Sequence, residues 1–133
     1  MLAIALFAAG SPRKARYEEI DSRRVRELQQ LSQAVESYFR ERRGLPVSLD
    51  SLATLPSVYV ESIQDPVTHR PYEYRPVSAV SYELCATFDQ PDTAGTSTGV
   101  YAPDRPPRFW RHAAGRRCYT LLLPRALVEG KTP

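Results

Sequence analysis

The feature that most restricts the fold of this chain is an apolar stripe with helical spacing that runs through residues 15–43. Leu28, Leu31, Val35 and Tyr38 are separated by three, four and three positions, and Ile20, Val25, Ala34 and Phe39 widen the same face. That repeat predicts an amphipathic helix with one side against a core. The opposite face carries Arg23, Arg26, Glu27, Gln30, Gln33, Glu36 and Arg40. Arg40, Arg42 and Arg43 suit the negative end of the helix dipole, Gly44 is the expected left-handed stop, and Pro46 forbids continuation. At 1.5 Å per residue this helix is about 43 Å long. A small domain cannot cover all of it, so its first turns are expected to project from the globular part.

Beyond the helix the period changes to two. Tyr72 and Tyr74 alternate with Glu73 and Arg75, and Val80, Tyr82, Leu84, Ala86 and Phe88 alternate with Ser81, Glu83, Cys85 and Thr87. Such alternation predicts half-buried strands, joined by a hairpin at residues 76–79. It places Cys85 on the polar face, away from the helix. Residues 118–123 are a third strand candidate, ended by Pro124. The expected class is α+β, a long N-terminal amphipathic helix packed on a small antiparallel sheet of about three strands.

The remaining segments read as connections. Ser48 is the expected N-cap of a short helix or turn whose Leu49, Leu52 and Leu55 pack back on the long helix, and Pro56 ends it. Val58 and Val60 suit a short extended piece, and residues 65–71 are dense in turn formers. Residues 89–117 form a long loop rich in Pro, Gly, Ser, Thr and Asp, and residues 124–133 are a tail with no clear element. With 133 residues the chain holds one globular domain, residues 15–133, after an apolar segment at 1–14. No internal repeat is visible.

The two cysteines, Cys85 and Cys118, both lie in strand candidates. A disulfide between them would close the long loop and stabilise the fold by roughly 3–4 kcal/mol in the loop-entropy model; two buried thiols are the other reading. Disulfides persist outside the cytoplasm. The run at residues 1–10 carries Leu2, Ile4, Leu6 and Phe7. As a helix it reaches about half of a ~30 Å hydrocarbon core. We read it as a membrane anchor, in preference to a signal-peptide apolar region, which is normally preceded by basic residues, or to a buried helix end. Arg13, Lys14 and Arg16 follow it and favour the cytoplasmic side. The cysteines point the other way and are given precedence. The expected location is the bacterial inner membrane, with the globular domain in the periplasm.

Net charge is +3, and the positive charge is almost all arginine, 16 Arg against 2 Lys, interspersed with 15 acidic residues. No basic stripe interleaved with aromatics occurs, so nucleic acid is not an expected partner. His69 and His112 are the only histidines and form neither a His-x-x-x-His nor a Cys-x-x-Cys arrangement, which argues against zinc. Asp89, Asp92 and Asp104 lack the dense ligand spacing of a calcium loop. His112 and Cys118 imitate a Cys–His pair, but a disulfide leaves no thiolate, and the plainer reading has Trp110 and His112 packed over the crosslink. Glu73 and Glu83 facing each other across the hairpin would offer paired carboxylates, although Arg75 is near. No catalytic residue, cofactor, metal or small-molecule substrate is expected. What remains is contact surface. Tyr101, Arg108, Phe109, Trp110 and His112 are the candidate interface residues, in a proline-rich segment that suits an extended arm on a partner; the alternative is that these rings cover the sheet.

Three stretches carry a family likeness. They are residues 26–38, beginning Arg26-Glu27-Leu28, then Gly44-Leu45-Pro46, and then Asp65-Pro66 followed by Pro71-Tyr72-Glu73-Tyr74. Together with the order apolar segment, long helix, antiparallel strands, they resemble the type IV pilins and the major pseudopilins of type II secretion, over residues 15–88. The fuller pattern comprises Gly10-Ser11-Pro12, Asp65-Pro66-Val67-Thr68, the segment from Tyr82 to Phe88, and Trp110-x-His112-x-x-Gly115-x-x-Cys118. It is similar to a group of uncharacterised bacterial membrane-anchored proteins. The resemblance implies a non-catalytic accessory subunit of a bacterial membrane complex, anchored in lipid at its N-terminus and bracing extramembrane parts of other protein subunits. Photosynthetic reaction-centre, respiratory and secretion assemblies are candidates. A minor pseudopilin is the first alternative, although residues 1–10 contain no prepilin cleavage motif. A periplasmic hydrolase using Glu73, Glu83 or His112 is the second.

Overall fold

The computed structural model describes residues 12–91 and 110–130. Helix α1 (Pro12–Arg42) holds the predicted stripe. Val25, Leu28, Leu31, Ala34, Val35 and Phe39 are buried, and they share one core with Tyr82, Leu84, Ala86, Phe88, Tyr119 and Leu121 of the sheet. Burial along α1 begins at Asp21, and none of residues 12–20 is buried.

The sheet has the order β1-β2-β3, with β1 (Glu73–Pro76), β2 (Ser81–Phe88) and β3 (Gly115–Leu122) antiparallel to their neighbours. The expected α+β layout of a long helix on a three-stranded antiparallel sheet is therefore present. Tyr74 stands opposite Leu84, Leu84 opposite Tyr119, and Tyr82 opposite Leu121, which sets the apolar face against α1. Period two then sends Glu73, Glu83, Cys85 and Cys118 to the other face.

Four local expectations are corrected. β3 starts at Gly115 instead of Cys118, because Gly115, Arg116 and Arg117 pair with Phe88, Thr87 and Ala86. The two arginines are exposed on the outer strand, so no apolar alternation announces that part of β3. The expected short helix is present as a 3-10 helix, Leu49–Thr54, with Ser48 at its N-cap position in extended backbone; what is missing is the side-chain capping bond. Val58 and Val60 form no strand; a single bridge, Gln64 to Pro71, closes the turn beyond them.

The fourth correction concerns the end of α1 and the tail. The left-handed residue is Arg43, at φ 57°, and not Gly44; its N–H donates to the Phe39 carbonyl at 2.8 Å. A non-glycine residue in this region is disfavoured by about 1 kcal/mol or more. Tertiary contacts hold it there. The Arg43 guanidinium lies 4.9 Å from the Phe39 ring centroid and donates to the carbonyls of Leu127 and Val128, each at 3.0 Å. Those carbonyls belong to a short helix α2 (Arg125–Val128), in the stretch expected to lack structure. Cationic donors suit the unsatisfied carbonyls of a helix end.

No helix among the described residues is long and apolar enough to cross a membrane. The anchor residues Leu2, Ile4, Leu6 and Phe7 and the interface residues Tyr101, Arg108 and Phe109 lie outside the described residues.

Candidate functional site

The most unusual chemistry of the molecule is a cluster of buried charges where α1, the 65–70 turn and the end of β2 meet. Asp21, Arg24, Glu27 and Asp65 are all buried. The Arg24 fork reaches three carboxylates. Its Nε donates to Asp65 Oδ2 at 2.6 Å and Nη2 to Asp65 Oδ1 at 3.1 Å, while Nη1 donates to Asp21 Oδ1 and Asp89 Oδ2, both at 2.8 Å. A planar guanidinium is the one side chain whose rigid donor set fits several carboxylates at once.

Two of the three carboxylates, those of Asp65 and Asp21, are also aimed by backbone. Asp65 opens a turn in which its Oδ1 accepts from the Val67 N–H at 2.8 Å and the Thr68 N–H at 3.0 Å. This is the local turn for which aspartate is favoured. Pro66 follows it, and His69 closes it at φ 60°. Asp21 accepts from the backbone N–H groups of Asp89 at 3.0 Å and Gln90 at 2.8 Å. The helix therefore grips the point where the chain leaves β2 for the long loop.

Charge and burial compete here. Desolvation opposes the Arg24 charge, but its hydrogen bonds to Asp65, Asp89 and Asp21 outweigh that and raise its pKa. Desolvation likewise pushes the Asp65 carboxyl up, and the bonds from Arg24, Thr68 and Val67 overcome it and hold the group below the usual aspartate range. An adjoining pair extends the cluster. The Tyr72 hydroxyl donates to Glu27 Oε1 at 2.6 Å, and Arg23 Nε donates to Glu27 Oε2 at 3.1 Å. Burial, then the Glu27 bond, drives the Tyr72 pKa upward. Asp65 stays ionised with both oxygens occupied, which makes it a poor proton carrier near neutral pH. The arrangement is suited to fastening three segments together.

The signal for this cluster was present in the chain. Asp21 and Arg24 continue the three-and-four stepping of Leu28, Leu31 and Val35 toward the N-terminus. They lie on the inward stripe, but charged side chains are seldom buried unless paired, and the pairing depends on residues far along the chain. Glu27, expected on the solvent face, is buried through Tyr72.

On the outer face of the sheet Cys85 and Cys118 stand opposite each other and are joined as a disulfide, with Cα atoms 4.1 Å apart. That separation belongs to the narrow pairs of an antiparallel ladder. Glu73 accepts from Arg116 Nε at 2.9 Å, and Arg116 Nη2 lies 3.7 Å from Cys85 Sγ. The Glu73 bond is what holds that carboxyl below its ordinary range. Glu73, Cys85 and Cys118 have donor atoms within 4.8 Å of one another. The sulfurs are bonded to each other and the carboxylate is engaged by Arg116, so this set offers a cation no open ligands.

The remaining sequence candidates are dispersed. Glu83 stands opposite Arg75, with which it pairs at 3.6 Å, and Glu73 stands opposite Cys85, so the two carboxylates do not face each other. Trp110 and His112 are buried on the helix side of the sheet and not over the crosslink. The His112 ring stacks on Phe88 with centroids 3.8 Å apart, and the Trp110 ring lies 5.0 Å from that of Tyr119. Phe88 and Tyr119 alternate with Cys85 and Cys118, so rings stacked on them occupy the opposite face. The Tyr119 hydroxyl donates to the Arg111 carbonyl at 2.9 Å and locks this segment in place.

Beside the charge cluster lies an open groove of about 600 Å³, lined by Arg13, Arg16, Tyr17 and Ile20 of α1 with Val67 and Asp89. Arg13 and Arg16 are exposed, whereas Tyr17 and Ile20 are half-buried.

The site and fold define a small α+β domain fastened by a buried guanidinium and one disulfide. No protein-family model, no curated protein and no solved structure matches the chain.

Proposed function

We propose that this protein is a non-catalytic accessory subunit of a bacterial membrane complex. An N-terminal anchor would hold it at the bilayer, and its pilin-like domain would brace partner subunits on the periplasmic side. The observation that carries this reading is the distribution of burial along α1. The helix runs 31 residues, yet its first nine described residues contribute nothing to the core, and fixation begins abruptly at Asp21 and Arg24. A helix gripped from Asp21 onward, with its first described turns outside the core, suits a strut. The apolar residues Leu2, Ile4, Leu6 and Phe7 precede its first described turn in the sequence. The disulfide supports an oxidising compartment. The ionised groups at the site are engaged in fastening, which favours a mechanical role over a chemical one.

The test is capture of the tagged chain from detergent-solubilised native membranes, followed by mass spectrometry. The expected result is recovery in the membrane fraction with a reproducible set of integral subunits. Recovery in the soluble fraction as a lone chain would overturn the proposal. A pseudopilin reading draws on the same helix-on-sheet layout. It requires processing by prepilin peptidase, and an unchanged N-terminus in a strain lacking that enzyme would reject it.

A further inference from the structure

The groove at the start of α1 combines a basic rim with an apolar floor. Its rim carries Arg13 and Arg16, one turn apart, both exposed and neither in an ion pair among the described residues. Lys14, between them in sequence, is paired with Glu18 at 4.0 Å. Its floor is apolar, made by the half-buried Tyr17 and Ile20 with Val67 across the gap. Among the described residues the one acid on its wall is Asp89, which accepts from Arg24 Nη1 at 2.8 Å; it shares that guanidinium with Asp21 and Asp65, so its charge is offset only in part. Unpaired guanidiniums above an apolar floor complement an amphiphile with an anionic head. Guanidinium forks match phosphate geometry, and the floor suits the glycerol and first acyl carbons.

Position along the chain selects the source of that phosphate. Arg13 and Arg16 come three and six residues after an apolar run ending at Gly10. We infer that this groove binds the headgroup of an anionic phospholipid, with Arg13 and Arg16 on the phosphate and Tyr17, Ile20 and Val67 against its apolar shoulder. The inference rests on the membrane-anchored reading above and deepens it. The bilayer then does more than hold the chain, because a bound headgroup fixes the depth and the rotation of the α1 strut.

The experiment is co-sedimentation of the full chain with vesicles of phosphatidylcholine alone and with an equal mixture of phosphatidylcholine and phosphatidylglycerol, at low and high salt. The expected result is preference for the mixed vesicles, weakened by salt. R13Q/R16Q is expected to lower that affinity by roughly thirty-fold at low salt, from about fivefold per basic residue near an anionic surface. R40Q/R42Q removes the same charge from exposed positions at the far end of α1, and it is expected to keep the preference. Equal binding to both vesicle types would overturn the headgroup site and leave the anchor standing. An equal loss in the two double variants would also overturn it, because net charge would then suffice. Absence of binding to either vesicle would overturn the anchor and the site together.

Discussion

Arg24 on α1 holds both carboxylate oxygens of Asp65, 41 positions further along the chain, through buried bonds of 2.6 and 3.1 Å. That pair joins the helix to the turn that leads into β1. Through Asp21 and Asp89 the same guanidinium also joins both to the end of β2. Removing the guanidinium would leave buried carboxylates without their counter-ion. We expect Arg24→Ala to destabilise the fold by about 3–5 kcal/mol. Arg24→Lys keeps the charge but loses the fork, and should fall between Ala and the parent. Chemical denaturation of the three proteins checks the order, and an Ala variant within about 0.5 kcal/mol of the parent would contradict a fastening role.

The depressed Asp65 pKa makes stability depend on acid in a stated direction. The folded state keeps Asp65 ionised to a lower pH than the unfolded chain does. Its contribution is therefore complete above the unfolded value of about 4 and is lost as pH falls through the lower folded value. We expect unfolding midpoints to be little changed by this group from neutral pH to about 5, and to fall below about 4. Asp65→Asn should be less stable at neutral pH and show a shallower acid slope. Denaturant titrations across that range read both quantities. An unaltered slope in the variant would show that Asp65 is not the group responsible.

The crosslink between Cys85 and Cys118 closes a loop of sequence separation 33. Replacing both cysteines by serine is expected to lower stability by roughly 3–4 kcal/mol while the β2–β3 ladder on either side preserves the register. Non-reducing peptide mapping of native material should yield one crosslinked peptide containing both positions. Recovery of two reduced thiols would remove the support for an extracytoplasmic domain.

The end of α1 predicts an inverted glycine effect. Because Arg43 sits at φ 57°, Arg43→Gly should be more stable than Arg43→Ala by about 1 kcal/mol, although both lose the contacts to Phe39, Leu127 and Val128. Gly44 lacks a positive φ and has no atom within 4 Å of a built Cβ, so Gly44→Ala should be neutral within about 0.5 kcal/mol. Thermal or denaturant melts of the three variants decide this. A large loss at Gly44 would return the left-handed stop to that residue.

The parts of the fold legible beforehand are those whose burial repeats locally. Leu28, Leu31 and Val35 announce the inner face of α1, and Tyr82, Leu84, Ala86 and Phe88 announce that of β2. The same alternation carries Cys85 to the outer face. The start of β3 at Gly115 was hidden because an exposed outer-strand segment needs no apolar alternation, and its Arg116 and Arg117 read as loop. The face covered by Trp110 and His112 is not legible, because proximity to Cys118 in sequence says nothing about which side of the sheet the residues before β3 pack on.

The amino-acid order by itself determined a long one-sided helix, a small antiparallel sheet and a pair of cysteines on one face of it, since the helical and strand periods of burial are properties of neighbouring residues. Only the tertiary structure decided that Asp21, Arg24, Glu27 and Asp65 are interior and that Arg43 ends the helix. Whether a charge can be buried, or a strained backbone held, is settled by partners up to 85 positions away, and no local period records where those partners arrive.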